Sequence, residues 1–389
     1  MNDDVYLYAW IASVPGIGPR RFAKLQTLFS DLRELYAAPV DRLTSVGLPQ
    51  KLAALIVKHR TDHPIEVLRE YCEKNDVTIL STLPPLLTSP PRGEEIKQEE
   101  KDSSYPALLR EIADPPVVLY VKGKLPPSDQ LSIAVVGTRH ITPYGTLVTQ
   151  KITGELAHAG CAIISGFMYG VDACAHTTAL ENGARTVGVL GFGFDHMYPR
   201  EHMPLAQHMI ESGNALITEF PYWQVPIPGN FPSRNRIVSG MSSGVVITEA
   251  ASKSGSKITA NCAVEQGRSV YAVPGPITSP FSDGTKELVN MGAKIISSGA
   301  EVLEDLGYRI QGAGTRGQGL EVRRASKKPV FTSELEEQIY TCIESRTEAT
   351  LDDLIEYVVC NPRELSVILT TLELSGVITQ TAHGSYVIR

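Results

Sequence analysis

The stretch Leu131–Gly145, "LSIAVVGTRHITPYG", decides the fold. Ile133–Val136 is a short apolar run, β-branched apart from Ala134, which suits a strand buried on both faces. The run stops at Gly137, and Thr142 followed by Pro143 opens a helix with Thr142 as N-cap. A strand, a glycine turn and a helix start in succession aim backbone N–H groups and the helix dipole at one spot, and Arg139 can close it. Gly137, Thr138 and Arg139 are read as a phosphate cradle. A plain βα turn with a solvated arginine is the competing reading, because the pattern falls short of G-x-G-x-x-G.

The same rhythm continues downstream. Strands are expected at Ala162–Ser165, Thr186–Leu190, Ala215–Glu219, Val245–Glu249, Ser269–Val273 and Lys294–Ile296. Helices are expected between them, among them Tyr144–Ala159, Asp172–Asn182, Met203–Ser212 and Lys257–Gln266. Repeated βα units with short apolar strands predict an α/β fold, a Rossmann-like parallel sheet covered on both faces. Ligands in such sheets bind at the carboxyl ends of the strands.

Two further glycine sites fall at such ends. "SGFMYGVDACAH" places Ser165 and Gly166 at a strand end and starts a helix with Asp172. "EAASKSGSKITA" turns at Gly255 and enters a helix through Ser256 and Thr259. Three successive glycine, serine and threonine turns point to a phosphate-binding face. Between them, "PGNFPSRNRIVSG" sets Phe231 three residues before Arg234, Asn235 and Arg236. An aromatic beside arginines is the equipment for a single strand of nucleic acid. The competing reading is a loop phenylalanine covering the sheet, with its arginines solvated or in salt bridges. Asp172, His176 and Glu249 form a conceivable acid/base set, but no nucleophile elbow, paired-carboxylate pattern or metal-ligand spacing accompanies them.

The flanks differ in texture. Residues 1–82 read as a helical domain. "VPGIGP" (Val14–Pro19) joins two helices, and "LTSVGLPQKLAALIVKHR" repeats the pattern more weakly. Such paired units resemble the helix-hairpin-helix (SAM-like) repeat, whose glycine N–H groups meet DNA phosphates; a domain used only for packing is the alternative. Residues 83–104, with prolines and then "EEIKQEEKD", read as a linker or loop. Order resumes with a strand at Val117–Val121, and the Rossmann-like domain is set at 105–309. Residues 310–329 read as a flexible tether. Residues 330–389 offer helices at Ser333–Ser345, Leu351–Val359 and Pro362–Ser375 and a terminal hairpin, a winged helix.

Composition narrows the classes. The 389 residues are 42% hydrophobic and 20% charged, with a net charge of −7, which argues against a globally basic binder but leaves room for a local basic patch. The acidic start "MNDDVYLYAW" has no basic n-region, and no apolar run approaches the ~20 residues of a membrane span. Six scattered cysteines without a CxxC predict reduced thiols and a cytoplasmic protein, with no metal and no cofactor.

Six segments in order, "IAVVGTRHITPYG", "SGFMYGVDACAH", "TVGVLGFGFDHMYP", "NFPSRNRIVSG", "EAASKSGSKITA" and "GRSVYAVPG", closely resemble the DNA-processing protein A family (DprA, or Smf). "YPALLREIADPPVVLY" upstream is similar as well. The resemblance spans roughly residues 105–306. It implies a non-enzymatic protein of natural transformation that binds and protects incoming single-stranded DNA and loads the recombinase RecA onto it, even against single-strand-binding protein. It also implies a homodimer formed through the Rossmann-like domain. The family's phosphate pocket falls on Gly137, Thr138, Arg139, Ser165 and Gly166. Its stacking aromatic falls on Phe231, with Asn235 and Arg236 nearby, and its helix-start donors on Gly255, Ser256 and Thr259. "QVPIPG" carries no lysine before Phe231, so Lys253 or Lys257 is expected to compensate. A two-fold contact is expected at Leu288 and Val289. The related alternative is a nucleoside-monophosphate phosphoribohydrolase, but the "PGGxGTxxE" signature of that class is absent. A sequence-specific transcription factor is disfavoured by a third C-terminal helix with Arg363 as its only basic residue.

Overall fold

The computed structural model describes residues 4–29, 31–83, 105–311, 321–324, 331, 333–346, 349–358, 361–374, 377–381 and 385–388. The chain divides into two compact units, Met1–Arg324 and Ala325–Arg389. Of the expected linker at 83–104, residues 84–104 lie outside the described residues.

The first unit is built on one nine-stranded sheet in the order β1-β2-β6-β5-β4-β3-β7-β8-β9. Its strands are β1 (Val77–Ser81), β2 (Val118–Gly123), β3 (Ser132–Val136), β4 (Ala162–Ser165), β5 (Thr186–Leu190), β6 (Ala215–Thr218), β7 (Gly244–Ile247), β8 (Ser269–Ala272) and β9 (Lys294–Ile295). β3 to β9 pair in parallel, while β2 runs antiparallel to β6 and β1 antiparallel to β2. The fold is therefore Rossmann-like with an antiparallel edge.

Strand alternation splits the core. Ile133, Val135, Ile163 and Val246 point to one face, where Ile152 and Leu156 of helix Pro143–His158 and Ala175 and Ala179 of helix Val171–Glu181 cover them. Ala134, Val136, Ile164 and Val245 point to the other, under Ile237 and Val238 of helix Asn230–Gly240 and Ala260 and Ala263 of helix Ser256–Glu265. At roughly 25 cal/mol per Å² of apolar surface, burying side chains on both faces is the main stabilisation of this layer.

The N-terminal helices do not end in a separate body at residue 82. Trp10, Phe22, Leu25 and Leu35 share a core with Val77 and Ile79 of β1 and Val118 and Tyr120 of β2. Two ring stacks fasten the helices to the segment after β6: Tyr71 on Tyr222 at 3.8 Å and His63 on Trp223 at 4.1 Å. β1 breaks no βα rhythm because it joins at the antiparallel edge, so its five residues carry no periodic signal of sheet membership.

Three other expectations change. The segment read as a loop around Phe231 is the helix Asn230–Gly240. Pro232 sits in its first turn, where a missing N–H costs nothing. Leu288, expected at a two-fold contact, is only 4% exposed, and it packs with the partly buried Val289 against the sheet core of its own chain. Of the expected tether at 310–329, only residues 310–311 and 321–324 are described, and they belong to an antiparallel pair, β10 (Tyr308–Gln311) with β11 (Glu321–Arg324).

The second unit is a winged helix. Helices Glu334–Arg346, Leu351–Tyr357 and Pro362–Leu374 enclose Ile339, Ile343, Leu354, Leu365 and Leu369, and β12 (Ile378–Gln380) pairs with β13 (Tyr386–Ile388). A capping box opens its second helix: Thr350 Oγ1 accepts from Asp353 N, and Asp353 accepts from Thr350 N at 2.9 Å.

Candidate nucleic-acid interface

The chain runs β3, β4, β5, β6 to one side and returns to place β7 on the other side of β3. The crevice above β3 and β7 is the topological switch point, where open α/β sheets hold ligands. A cavity of about 590 Å³ lies there. Gly137, Thr138, Arg139, Gly166, Phe231, Asn235, Gly255, Ser256 and Thr259 all line it. The turns after β3, β4 and β7 thus converge, as separate sequence motifs suggested.

Two glycines are there for lack of room. A Cβ on Gly137 would stand 2.7 Å from the Glu249 carbonyl oxygen, and one on Gly166 would stand 2.6 Å from Asp172 Oδ2 and 2.8 Å from Arg234 Nη2. The backbone of both turns is drawn in against its neighbours, and Thr138 N donates to Glu249 O at 2.7 Å.

The first helix start differs from the expected cradle. Thr142 caps it, accepting from Gly145 N at 3.0 Å. Glu249 then fills the position, accepting from Thr142 N at 2.9 Å and from Thr142 Oγ1 at 2.7 Å. The helix dipole is already satisfied by an internal carboxylate. Arg139 remains as the exposed cation of this turn, its guanidinium 5.7 Å from the centre of the Phe231 ring.

Two expected residues stand apart from the cavity lining. Ser165 is fully buried and donates its hydroxyl to Val135 O at 2.7 Å. Arg236 is held in a two-pronged bond to Glu219, both contacts at 2.7 Å, and reaches Asp114 at 3.1 Å. Their neighbours behave differently. Asn235 donates to Gly255 O at 3.3 Å and ties the Phe231 helix to the third turn. Arg234 lies beneath the floor, donating to Gly166 O and Val189 O. Burial lowers the Arg234 pKa to about 10, against the pull of the Asp172 carboxylate. Burial likewise pushes Asp172 up to about 6, against the opposing pull of Arg234.

The other two members of the conceivable acid/base set are structural. Glu249 is spent on Thr142. His176 is fully buried with Nδ1 2.7 Å from Thr186 Oγ1, and burial drives its pKa down to about 3.

Of the two lysines expected to compensate, Lys257 pairs with Glu287, whereas Lys253 is exposed on the cavity lining. Among the described residues neither Lys253 nor Arg139 forms a salt bridge. His140, within "IAVVGTRHITPYG", and Tyr198, within "TVGVLGFGFDHMYP", also line the cavity; both segments stood out in the sequence, but nothing local to either residue marked it as a lining side chain. Among the described residues no cluster of His, Cys, Asp and Glu could hold a metal ion, and no helix is long and apolar enough to cross a membrane.

Fold and cavity together define a class: Rossmann-like α/β proteins whose ligand cavity sits at the switch point of the sheet. The family model for DNA recombination-mediator protein A matches residues 98–307, over half of the chain, and the DprA winged helix domain matches 324–384. The chain belongs to the DNA recombination-mediator protein A family. DNA processing protein DprA of Bacillus subtilis (strain 168) is 43% identical over 206 residues, which are 53% of this chain and 69% of that protein. Protein Smf of Synechocystis sp. is 34% identical over 312 residues, 79% of this chain and 73% of that protein. The X-ray structure of DprA from Streptococcus pneumoniae matches with a TM-score of 0.60 at 27% identity, covering 78% of this chain and 98% of that one.

Proposed function

We propose that the chain binds single-stranded DNA in the switch-point cavity and passes it to the recombinase RecA. One observation carries the reading: a single cavity joins two exposed cations free of internal salt bridges, Arg139 and Lys253, to an aromatic ring, Phe231. The cations take backbone phosphates, with help from the Ser254–Ser256 turn. Phe231 takes the face of a base, which any sequence offers. In a chain of net charge −7 this local patch, rather than the overall field, attracts the polyanion. Membership in a recombination-mediator family supports the further steps. The protein protects incoming DNA during natural transformation, works as a homodimer in the cytoplasm, and loads RecA on strands covered by single-strand-binding protein.

The test is fluorescence anisotropy of labelled oligothymidylate and of a duplex of equal length, over a salt series. Single strands bind more tightly than duplex, and Arg139→Ala with Lys253→Ala abolishes the difference. Failure of the wild-type protein to bind single strands at low salt would falsify the reading. The RecA step is checked separately, by the rate of RecA assembly on strands pre-coated with single-strand-binding protein.

A second reading, nucleoside-monophosphate hydrolysis, has one observation behind it: Asp172, lining the cavity with a carboxyl pKa raised to about 6 by burial, is poised to exchange a proton near neutrality. Incubation with nucleoside monophosphates decides it: release of free base that Asp172→Asn abolishes establishes the hydrolase.

A further inference from the structure

Phe231 is not the only aromatic ring at the cavity mouth. Tyr198 also lines the cavity, its ring centre 5.8 Å from that of Phe231 and tilted by 51°. Tyr169 directly follows Met168, which lines the cavity, and its ring meets His202 edge-on at 5.2 Å. Tyr198 and Tyr169 are each 39% exposed. Among the described residues of the first unit they are the only exposed Phe, Tyr or Trp side chains; Tyr198 lines the cavity and Tyr169 is the next residue after Met168 of its wall.

Their exposure is built in. The loop "GFMYG" between β4 and helix Val171–Glu181 holds Phe167 at a φ of 59°, in the left-handed region that favours glycine. That backbone buries Phe167 completely while Tyr169, two residues on, faces solvent. Strain of this kind persists where the surroundings enforce it, and it clusters at ligand sites. The Tyr169 hydroxyl donates to Glu201 Oε2 at 2.7 Å. Glu201 in turn repels phosphate, so a strand passing here turns its bases, not its backbone, toward this wall.

We propose that Tyr198 and Tyr169 form a stacking track that leads the strand out of the cavity from Phe231 toward helix Met203–Glu211, each ring taking one base. The inference rests on the single-strand reading above and adds the direction and length of the path.

The experiment compares wild type, Tyr198→Ala, Tyr169→Ala and the two Phe variants on labelled oligothymidylates of about 5 and about 15 nucleotides, across salt. Each alanine variant weakens both oligomers roughly fivefold or more, because three rings taking one base each lie within the span of about 5 nucleotides. The phenylalanine variants keep wild-type affinity, and the salt slope stays constant because no phosphate contact is lost. Normal affinity of both alanine variants for the longer oligomer, while Arg139→Ala weakens it, overturns the track and leaves the cavity reading standing. Loss in the phenylalanine variants as well, or a shallower salt slope, also overturns it, by assigning the hydroxyls or the local fold instead of the ring faces. A wild-type protein that binds neither oligomer overturns both proposals together.

Discussion

Two helix starts at the switch point look alike in sequence and differ in the fold. Helix Pro143–His158 and helix Ser256–Glu265 each follow a core strand, a glycine-bearing turn and a hydroxyl residue. The first is shut: Thr142 caps it, and the Glu249 carboxylate takes the N–H and hydroxyl of that cap residue. The second is open: Gly255 offers no side-chain cap, Ser254 and Ser256 bond to each other at 2.8 Å, and Lys253 stands exposed beside them. Glu249 and Gly255 belong to the same "EAASKSGSKITA" segment, so one motif closes the first site and forms the second. A helix N-terminus attracts anions in general, but it serves an outside ligand only where the protein supplies no anion of its own.

A matched pair of substitutions strains this contrast most. In Gly145→Ala the new Cβ would stand 2.1 Å from Glu249 Oε2, whereas in Gly255→Ala it meets nothing within 4 Å. We expect the first to destabilise the fold by about 3 kcal/mol, as overpacking of a filled site does. The second costs less than about 1 kcal/mol, the cap preference alone. Urea titration of both variants measures it, and equal losses would mean the first start is not closed.

Next in size is Phe231→Ala, which removes the ring between the two starts. Affinity for single strands falls by roughly 5- to 150-fold, corresponding to about 1–3 kcal/mol of stacking, and Phe231→Trp retains most of it. Anisotropy titration reads this directly; a variant that binds normally returns Phe231 to the core.

The open start is sharpened by its two lysines. Lys253→Ala shallows the dependence of log affinity on log salt by about 0.7, one phosphate contact on a single strand. Lys257→Ala leaves the slope unchanged, because that ammonium is already engaged by Glu287. Identical slopes for the two variants would remove Lys253 from the contact.

The smallest effect concerns pH. Burial raises the Asp172 pKa to about 6, so its carboxyl is charged at pH 7.5 and neutral at pH 5. Its charge opposes that of the bound phosphates, and single-strand affinity therefore rises as pH falls through about 6, by between about two- and tenfold. The same raised pKa makes the folded state bind this proton more tightly than the unfolded chain, so its contribution to stability is present at low pH and lost as pH rises through about 6. Asp172→Asn flattens the affinity profile; a profile unchanged by that substitution excludes Asp172 as the titrating group.

The sequence alone determined what depends on neighbours along the chain. Short β-branched runs ending in glycine gave the parallel strands, and Thr142-Pro143 gave the helix start, because strand period and capping are local. The convergence of Gly137, Gly166, Phe231 and Gly255 was legible as well, since carboxyl ends of parallel strands share one edge. Only the tertiary structure decided which charges are free. Arg236 is bonded to Glu219, 17 residues away, and to the Asp114 carbonyl, 122 away; Glu249 reaches Thr142 across 107. It also turned the loop around Phe231 into a helix, brought β1 into the sheet, buried Leu288 and brought Tyr198 to the cavity. The reason is physical: backbone conformation follows from a few adjacent residues, whereas the partner of a charge or a ring is whatever the fold packs against it.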